Sequence, residues 1–564
     1  MRLAVSLALV LAGAPLWAQL SREQKSTDFQ ELVGLFAKRY AFIEWKRDVL
    51  QYDGLDIRSW MDRVAKSRDD VEYLEICAEY AAKFQDGHTG FEVPSDFIAE
   101  LGMAVDVYDG KYLIDFIDRK NLPLSAFPFQ LGDELVSIDG RGADSIVQDL
   151  TRLVGEGNPR TAKRLAAALV TSRPQWMLPR AHETGETATI VVRRRDGGGP
   201  DTYTVPWNKS GTPYLFAGPV PTPTVTPASI RRTSRPAVRA TAASSPFYLR
   251  TLRSMQVFRS PRRLSVGIGS LEPVFRMPDN FVQRLGLGEF DSLFSGVMNY
   301  QGLKVGFLRV PDFEGFYTPD LQTEIKFMEA NTDGLVVDVM RNPGGYGCEA
   351  ETLISHLNPN GARSLGNSVR VTWDFIQSLM YELSLAKEFE ASDEEIAEIQ
   401  SMLDASRAAY GQVRGFTGPM PICGGSMDLT AAKDRAGRTV GYTKPIMVLI
   451  DDRSASAAEL FAAAMQDNGR ALLYGYRTDG AGASVGDFLG GVYSETSASL
   501  SQSILIRSKP ATTPDFPSRP YIENIGVRPD KVDDYMTEDN LINHGKRFVD
   551  RMLSAMVEHI NSTK

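Results

Sequence analysis

Apolar positions along the chain change period from one region to the next. Phe29, Leu32, Val33, Phe36, Tyr40 and Ile43 recur at steps of three and four, and so do Val71, Leu74, Ile76, Ala78 and Ala81, which predicts helices from residue 20 to about 92. Between about 96 and 208 the pattern shortens to strand-like alternation. Tyr112–Phe116, Glu134–Ile138 and Ala188–Arg193 predict strands, with a helical insertion from about Pro159 to Val170. Residues 211 to about 263 are rich in Pro and Thr and then in Arg, and predict a linker. From Leu264 strands and helices alternate: a strand over Leu303–Val310, a helix over Leu321–Ala330, a buried strand over Gly334–Met340 and a helix over Cys348–Leu357. Strand, helix, strand, Gly turn and helix predict a parallel sheet with right-handed crossovers. A charged segment at 375–412 predicts a solvated helical hairpin or lid. Further strands are expected at Ile446–Ile450, Ala471–Tyr476 and Ser503–Ser508, and one amphipathic helix over Thr537–Ile560.

The chemistry gathers on three turns. Ile446–Ile450 is a continuous apolar run broken by Asp451-Asp452-Arg453, after which Ser454-Ala455-Ser456-Ala457-Ala458-Glu459 opens an alanine-rich helix. A small polar residue at the carboxyl end of a buried strand, on a helix N-terminus, is placed for a site. The free N–H groups there also suit a developing oxyanion. Ser456 is therefore a candidate nucleophile, although Ser456 and Glu459 also fit a capping box that needs no chemistry. A second turn, Arg341-Asn342-Pro343-Gly344-Gly345, leaves backbone N–H groups open at the end of the neighbouring strand, or is simply a tight strand-to-helix turn. The third is Gln85-Asp86-Gly87-His88-Thr89-Gly90-Phe91. Of the five histidines, His88 sits on a constrained, Gly-flanked loop, His182, His544 and His559 lie in polar surroundings that look exposed, and His356 lies in a helical pattern.

The length, 564 residues, calls for two to four domains, and a net charge of −9 argues against a general nucleic-acid binder. Met1 to Ala18 carries Arg2, an apolar run from Leu3 to Leu11 and small residues before Gln19, as a secretory signal peptide does, so a periplasmic or secreted protein is expected. No later run is long enough to span a membrane. Cys77, Cys348 and Cys423 allow one disulfide with one thiol left over, and no Cys/His spacing resembles a zinc site. No metal or other cofactor is expected.

Leu131-Gly132-Asp133, an alternating strand to Ile138 and the Asp139-Gly140 turn look like a PDZ domain, or a generic small β domain, at about 96–210. A PDZ domain would bind a peptide by strand addition, with Leu131, Gly132 and Asp133 as its substrate-binding residues. Asp86–Thr89, this Gly-Asp strand, Val337–Gly345, Ser454–Glu459 and Ile522-Glu523-Asn524-Ile525-Gly526-Val527-Arg528-Pro529-Asp530 stand in an order that resembles the tail-specific (C-terminal-processing) serine protease family, which includes the tricorn core and interphotoreceptor retinoid-binding repeats. The resemblance implies a multidomain α/β protein: a helical domain at 19–95, the PDZ-like domain, the linker, and a parallel-sheet (ClpP/crotonase-like) core at 264–564. The processing branch resembles a Ser–Lys dyad enzyme with its lysine in a Thr-Phe-Gly-Lys-Gly turn. Here that turn is Thr478–Gly482, Ala481 stands in the lysine's place, and Lys509 is a poor substitute. The tricorn-like branch resembles a Ser-His-Glu arrangement, which carries over as Ser456 nucleophile, His88 base and then acid, and Glu523 orienting group. Gly87 stands where tricorn has a serine before its histidine. Ala457 with Gly344 or Gly345 would form the oxyanion hole. The expected activity is that of a peptidase on protein or peptide substrates. Its rivals are a non-catalytic binder of peptide or apolar ligands on the same fold, and a small-substrate esterase.

Overall fold

The computed structural model describes residues 19–218, 268–288, 291–316, 318–412 and 415–563. The expected leader at 1–18 and the expected linker beyond residue 218 lie outside the described residues. The first domain is helical as expected: α1 (Arg22–Arg39), α2 (Ile43–Leu50), α3 (Arg58–Lys66) and α4 (Asp70–Ala82). A Ser21–Gln24 capping box starts α1, and the Asp69 side chain accepts from the Glu72 N–H to start α4. Phe36 stacks on Phe84 at 4.4 Å between ring centroids and meets Tyr80 edge-on, which fixes α1 against α4 and the turn beyond it.

The second domain is a six-stranded antiparallel sheet: β1 (Met103–Tyr108), β2 (Lys111–Ile117), β3 (Glu134–Ile138), β4 (Thr187–Arg193) and β5 (Pro200–Pro206) in a spatial order equal to chain order, with the two-residue strand Arg141–Gly142 paired to β3 off this path. Between β3 and β4 lie α5 (Ala143–Thr151) and α6 (Pro159–Thr171). The expected insertion helix is α6, which starts on the Asn158 side-chain cap with Pro159 at its first position.

The core is a seven-stranded sheet: β6 (Val282–Leu285), β7 (Phe294–Tyr300), β8 (Leu303–Arg309), β9 (Gly334–Asp338), β10 (Ile446–Ile450), β11 (Ala471–Gly475) and β12 (Lys531–Val532), again in chain order. It is mixed: β8 to β12 run parallel, while β6 and β7 add an antiparallel edge. Its helices are α7 (Thr318–Asn331), α8 (Gly347–Leu357), α9 (Trp373–Glu388), α10 (Asp393–Gly411), α11 (Ala457–Asp467), α12 (Glu538–Ile542) and α13 (Lys546–Ser562). Every residue of β9 and β10 is buried, because both faces are covered. Ile446, Val448 and Ile450 pack with Leu353 of α8 and Leu460 and Phe461 of α11, whereas Met447 and Leu449 pack with Phe548, Met552 and Met556 of α13. The single helix expected over Thr537–Ile560 is two, because His544 and Gly545 both take positive φ, 51° and 73°. The charged insertion is the hairpin α9–α10, with a small core of its own around Ile376, Leu379, Leu383 and Leu403.

The second domain is fastened to the core next to the expected nucleophile. Arg164 of α6 is 1% exposed. It donates through Nε and a terminal nitrogen to Asp106 of β1 at 2.9 and 2.7 Å, and through its other terminal nitrogen to Asp452 at 2.6 Å. Burial alone would raise the Asp106 carboxyl, but Arg164 and Arg453 hold it well below the usual range. Removal of Arg164 takes the central cation from two buried carboxylates and leaves Asp106 to Arg453 and Asp452 to Arg160. Arg164→Leu is expected to cost about 3–5 kcal/mol in urea unfolding; a loss below about 1 kcal/mol would mean that water replaces the guanidinium at no cost.

A Cys348–Cys423 disulfide ties the start of α8 to the chain that returns from the α9–α10 hairpin, and Cys77 is buried and free. Denatured, unreduced protein should therefore take up one thiol label, and reduced protein three. Reduction should also lower stability by about 2–4 kcal/mol, read as a drop in midpoint on thermal unfolding with and without reductant.

Candidate active site

Two strand ends are laced together to make the site. The Arg341 N–H donates to Asp451 Oδ1 at 2.8 Å, Ser454 Oγ to the Val339 carbonyl at 2.7 Å and the Ala455 N–H to the Asn342 carbonyl at 3.0 Å. These bonds draw the Gly344-Gly345 turn after β9 onto the turn after β10. A Cβ on Gly344 would stand 2.5 Å from Ser456 Cβ and 2.9 Å from the Ala457 nitrogen. Gly344 has φ 93° and Gly345 φ 140°, so the turn both needs glycine backbone and has no room for a side chain. Ser456 is the N-cap of α11 with φ 57° and ψ −119°, a conformation that costs a non-glycine residue on the order of 1–3 kcal/mol. The capping-box reading holds in part, since the Ser456 N–H donates to Glu459 Oε2 at 3.2 Å, but a cap does not require this strain.

Glu459 does more than cap. It is fully buried and also accepts from the Thr478 hydroxyl at 2.5 Å and from the Gly480 and Ala481 N–H groups at 2.8 Å each. Burial pushes its carboxyl up to about 7 against the pull of these donors. The loop so held presents the Ala481 carbonyl, which accepts from the Ser456 N–H at 3.2 Å.

His88 arrives from the helical domain against the same loop. Its turn is closed by Asp86, which accepts from the His88 N–H at 2.8 Å and from the Thr89 hydroxyl at 3.0 Å. A Cβ on Gly87 would lie 3.3 Å from Ala481 Cβ, so the residue before His88 touches the residue whose carbonyl holds Ser456. His88 is fully buried. Glu523 is fully buried on the neighbouring segment, where its Oε1 accepts from Lys46 Nζ at 2.5 Å; the same ammonium donates to Asn524 Oδ1 at 2.6 Å and to the Gln85 carbonyl at 2.9 Å. Burial first, and then the Asp86 carboxylate, push the Glu523 carboxyl well up, with Lys46 opposing. The structure therefore brings the segments of Ser456, His88, Glu523, Ala457, Gly344 and Gly345 to one place. Within the expected oxyanion pair, the Gly344 N–H is already given to Asn342 Oδ1 at 2.8 Å, which leaves Gly345 as the partner of Ala457.

Leu131, Gly132 and Asp133 do not join them. Strand addition beside this segment is blocked, because β3 is bonded on one side to β2 and on the other to β4. A Cβ on Gly132 would meet Ile542 Cδ1 at 2.3 Å, and the buried Asp133 carboxylate is spent on the Gln130 and Arg195 N–H groups. Leu131 lines a cavity of about 900 Å³ between the PDZ domain and the core, which none of the other site residues lines. Lys509 donates to the Asp467 carbonyl at the far end of α11, roughly 15 Å along the helix from Ser456. Of the histidines expected to be exposed, His544 is, while His182 and His559 are half-buried. Lys46 was invisible in the sequence: it lies between Trp45 and Arg47 in an ordinary amphipathic helix, and no local pattern marks it as buried.

Residues 304–531 match Peptidase family S41 and residues 98–213 match a PDZ domain. A protein of Chlamydia trachomatis is 24% identical over 590 aligned residues, covering 95% of this chain and 92% of its own. One of Chlamydia pneumoniae is 23% identical over 568, covering 90% and 86%. Among solved structures, mature CPAF matches with a TM-score of 0.73 at 21% identity, over 96% of this chain and 98% of its own. Mature CPAF complexed with lactacystin matches with a TM-score of 0.72 at 21% identity, over 96% and 99%. The fold is thus shared from the helical domain to the core, the S41 match spans Ser456, and the chain carries a Peptidase family S41 domain and a PDZ domain, as a serine-type peptidase.

Proposed function

We propose that this chain is an exported peptidase that hydrolyses peptide bonds of protein or peptide substrates with Ser456 as nucleophile, His88 as general base and then acid, and Glu523 as the group that tunes the imidazole. The observation that carries the reading is the contact of the His88 turn with Ala481, whose carbonyl holds the Ser456 N–H. A serine hydroxyl needs a base within hydrogen-bond reach, and the lysine that could have supplied one is replaced by a fully buried Ala481. Lys46 is a poor base, because its ammonium is held on Glu523. Glu523 Oε2 has no hydrogen-bond donor among the described residues, so it is the oxygen we assign to the imidazole, directly or through a water.

In this reading Ser456 Oγ attacks the scissile carbonyl while His88 takes the hydroxyl proton. The oxyanion is met by the N–H groups of Ala457 and Gly345 at the start of α11, where the helix dipole adds to the field. His88 then protonates the leaving amine, and water repeats the sequence on the acyl-enzyme. Strain at Ser456 holds the hydroxyl side chain at the helix start. We assign the PDZ domain the task of bracing the loops after β10 and β11, through Arg164, Asn158 and Thr161, in place of strand addition at residues 131–138.

Ser456→Ala is expected to abolish both peptide cleavage and fluorophosphonate labelling with the thermal midpoint preserved. His88→Ala should lose several orders of magnitude in kcat/KM, and Lys509→Ala should stay active. Undiminished labelling of the Ser456 variant would remove it from the mechanism, and labelling without cleavage of any peptide library would point to an esterase. For export, mass spectrometry of secreted or periplasmic protein should give a mature N-terminus at Gln19; an intact Met1 terminus on purely cytoplasmic protein would refute that part.

A further inference from the structure

Some of the buried carboxyls near His88 are not used in the scheme above. Glu156 belongs to the PDZ domain, in the connection Gly155-Glu156-Gly157-Asn158 between α5 and α6, and this connection is wedged behind the site. A Cβ on Gly155 would stand 3.0 Å from Ala82 Cα of α4, and one on Gly157 would stand 2.7 Å from the Gly480 carbonyl oxygen. Asn158 Nδ2 donates to the Thr478 carbonyl at 3.1 Å, and Asn524 Nδ2 to the Gly157 carbonyl at 3.3 Å. Backbone of the wedge thus lies flush against both the helical domain and the core, and Glu156 is the side chain set between its two glycines.

Glu156 is 3% exposed and Asp479 is fully buried. Glu156 Oε2 and Asp479 Oδ2 lie 2.8 and 2.9 Å from the point where a Cβ on Gly87 would stand. The two carboxyls are in hydrogen-bond contact. Among the described residues Glu156 Oε2 meets no N–H or O–H donor, and the Thr161 hydroxyl beside the Asp479 carboxyl is given to the Asp452 carbonyl at 2.6 Å. The described residues also contain no group of three or more His, Cys, Asp or Glu side chains that could hold a metal ion. Two buried, touching carboxyls without a cation do not both ionise; one proton between them turns the repulsion into a short charge-assisted bond.

The surroundings favour keeping that proton. Asp86 faces the pair from the His88 turn, Glu523 from the segment after β11, Glu459 from α11 and Asp452 from the turn after β10. The nearby cations are committed elsewhere: Lys46 to Glu523, Arg164 and Arg160 to Asp452, while Arg477 donates to the Asn524 carbonyl. Lys83, Arg152 and Lys163 stand around a cavity on the other side of Glu156, and His88 itself follows Gly87.

We propose that Glu156 is a positioning residue for the peptidase site, sharing one buried proton with Asp479 and so clamping the PDZ domain to the loop that holds Ser456 and to the turn that carries His88. The proposal rests on the peptidase reading above and adds a PDZ residue to it. The proton belongs to the pair, not to either residue. Burial and then Asp479 raise the Glu156 carboxyl well above its ordinary range, and burial and then Glu459 raise that of Asp479. Between the ordinary carboxyl range and the pair's raised value, the folded chain binds one proton more than the unfolded chain. Stability supplied by the pair is therefore present at low pH and is lost as pH rises through the raised value. Above it, two adjacent charges push the wedge away from the 478–481 loop.

The test compares wild type with Glu156→Gln, whose amide keeps a bond to the Asp479 carboxylate without titrating, and with Glu156→Ala, which keeps none. Fluorophosphonate labelling rate and thermal midpoint are measured from pH 5 to 10. Wild type is expected to lose both toward alkaline pH. Glu156→Gln should lose both less steeply, and Glu156→Ala should label about a hundredfold more slowly throughout. Identical alkaline limbs for wild type and Glu156→Gln in both measurements would overturn the shared proton, as would wild-type labelling by Glu156→Ala. If Glu156→Ala does not fold, the comparison with Glu156→Gln decides alone. If even wild type takes no label, the peptidase reading fails, and the thermal midpoints against pH still decide whether the proton is shared.

Discussion

The site depends on one carboxylate inside the protein. Glu459 sits three residues into α11 and gathers the Ser456 N–H, the Thr478 hydroxyl and the N–H groups of Gly480 and Ala481. No hydrogen bond between Ser456 and the segment of residues 478–481 other than that to the Ala481 carbonyl is needed to keep them in register, because both are tied to the same two oxygens. Were that carboxylate replaced by an apolar group, three buried donors would lose their acceptor at once, each at about 1–3 kcal/mol, and the Ser456 N–H would keep only the Ala481 carbonyl. The strained backbone of Ser456 and the contact of Gly87 with Ala481 both presuppose this clamp.

The second constraint is that no single domain completes the site. The proposed nucleophile and oxyanion donors belong to the core, the proposed base to the helical domain, and the proposed bracing of the intervening loops to the PDZ domain. One apolar cluster reflects this, since it runs from Phe36 and Tyr80 through Leu165 and Ala166 to Ala455 and Ala481. The electrostatics follow the same plan. Asp86, Glu523, Asn524 and Gln85 come from two domains, and Lys46 joins them by donating to Glu523, Asn524 and Gln85 while Asp86 closes the His88 turn. Buried carboxylates from different domains repel unless they are bridged by a cation or a proton, so the docking of the domains and the protonation of the site are one problem.

How much of this the sequence disclosed varied with the range of the interaction. The buried strands Gly334–Asp338 and Ile446–Ile450 and the helices that follow them were legible because a strand covered on both faces must be continuously apolar and a helix must follow a breaker. Ser456 and the glycine turn were legible as punctuation. The misassigned segment, Leu131 to Asp133, shows the limit. Its Gly-Asp turn and alternating strand look the same whether the strand lies at a sheet edge or in its middle, and only the pairing with residues 52 to 59 positions later decides between them. Lys46, Glu156 and Asp479 were illegible for a related reason. A charged residue on a helix or loop reads as solvated unless its partner is known, and their partners lie more than 300 residues away. The break at His544-Gly545 was missed because apolar periodicity continues across it while the backbone reverses hand.

The fully buried Ala481 also bears on how such an enzyme could change its chemistry. Its methyl group faces Gly87, so the space that a lysine side chain would cross is already filled by the turn from the helical domain. In the proposed mechanism the imidazole carried in on the helical domain and an amine reaching in from position 481 would therefore compete for one volume. The choice of base is in that sense a choice of domain arrangement.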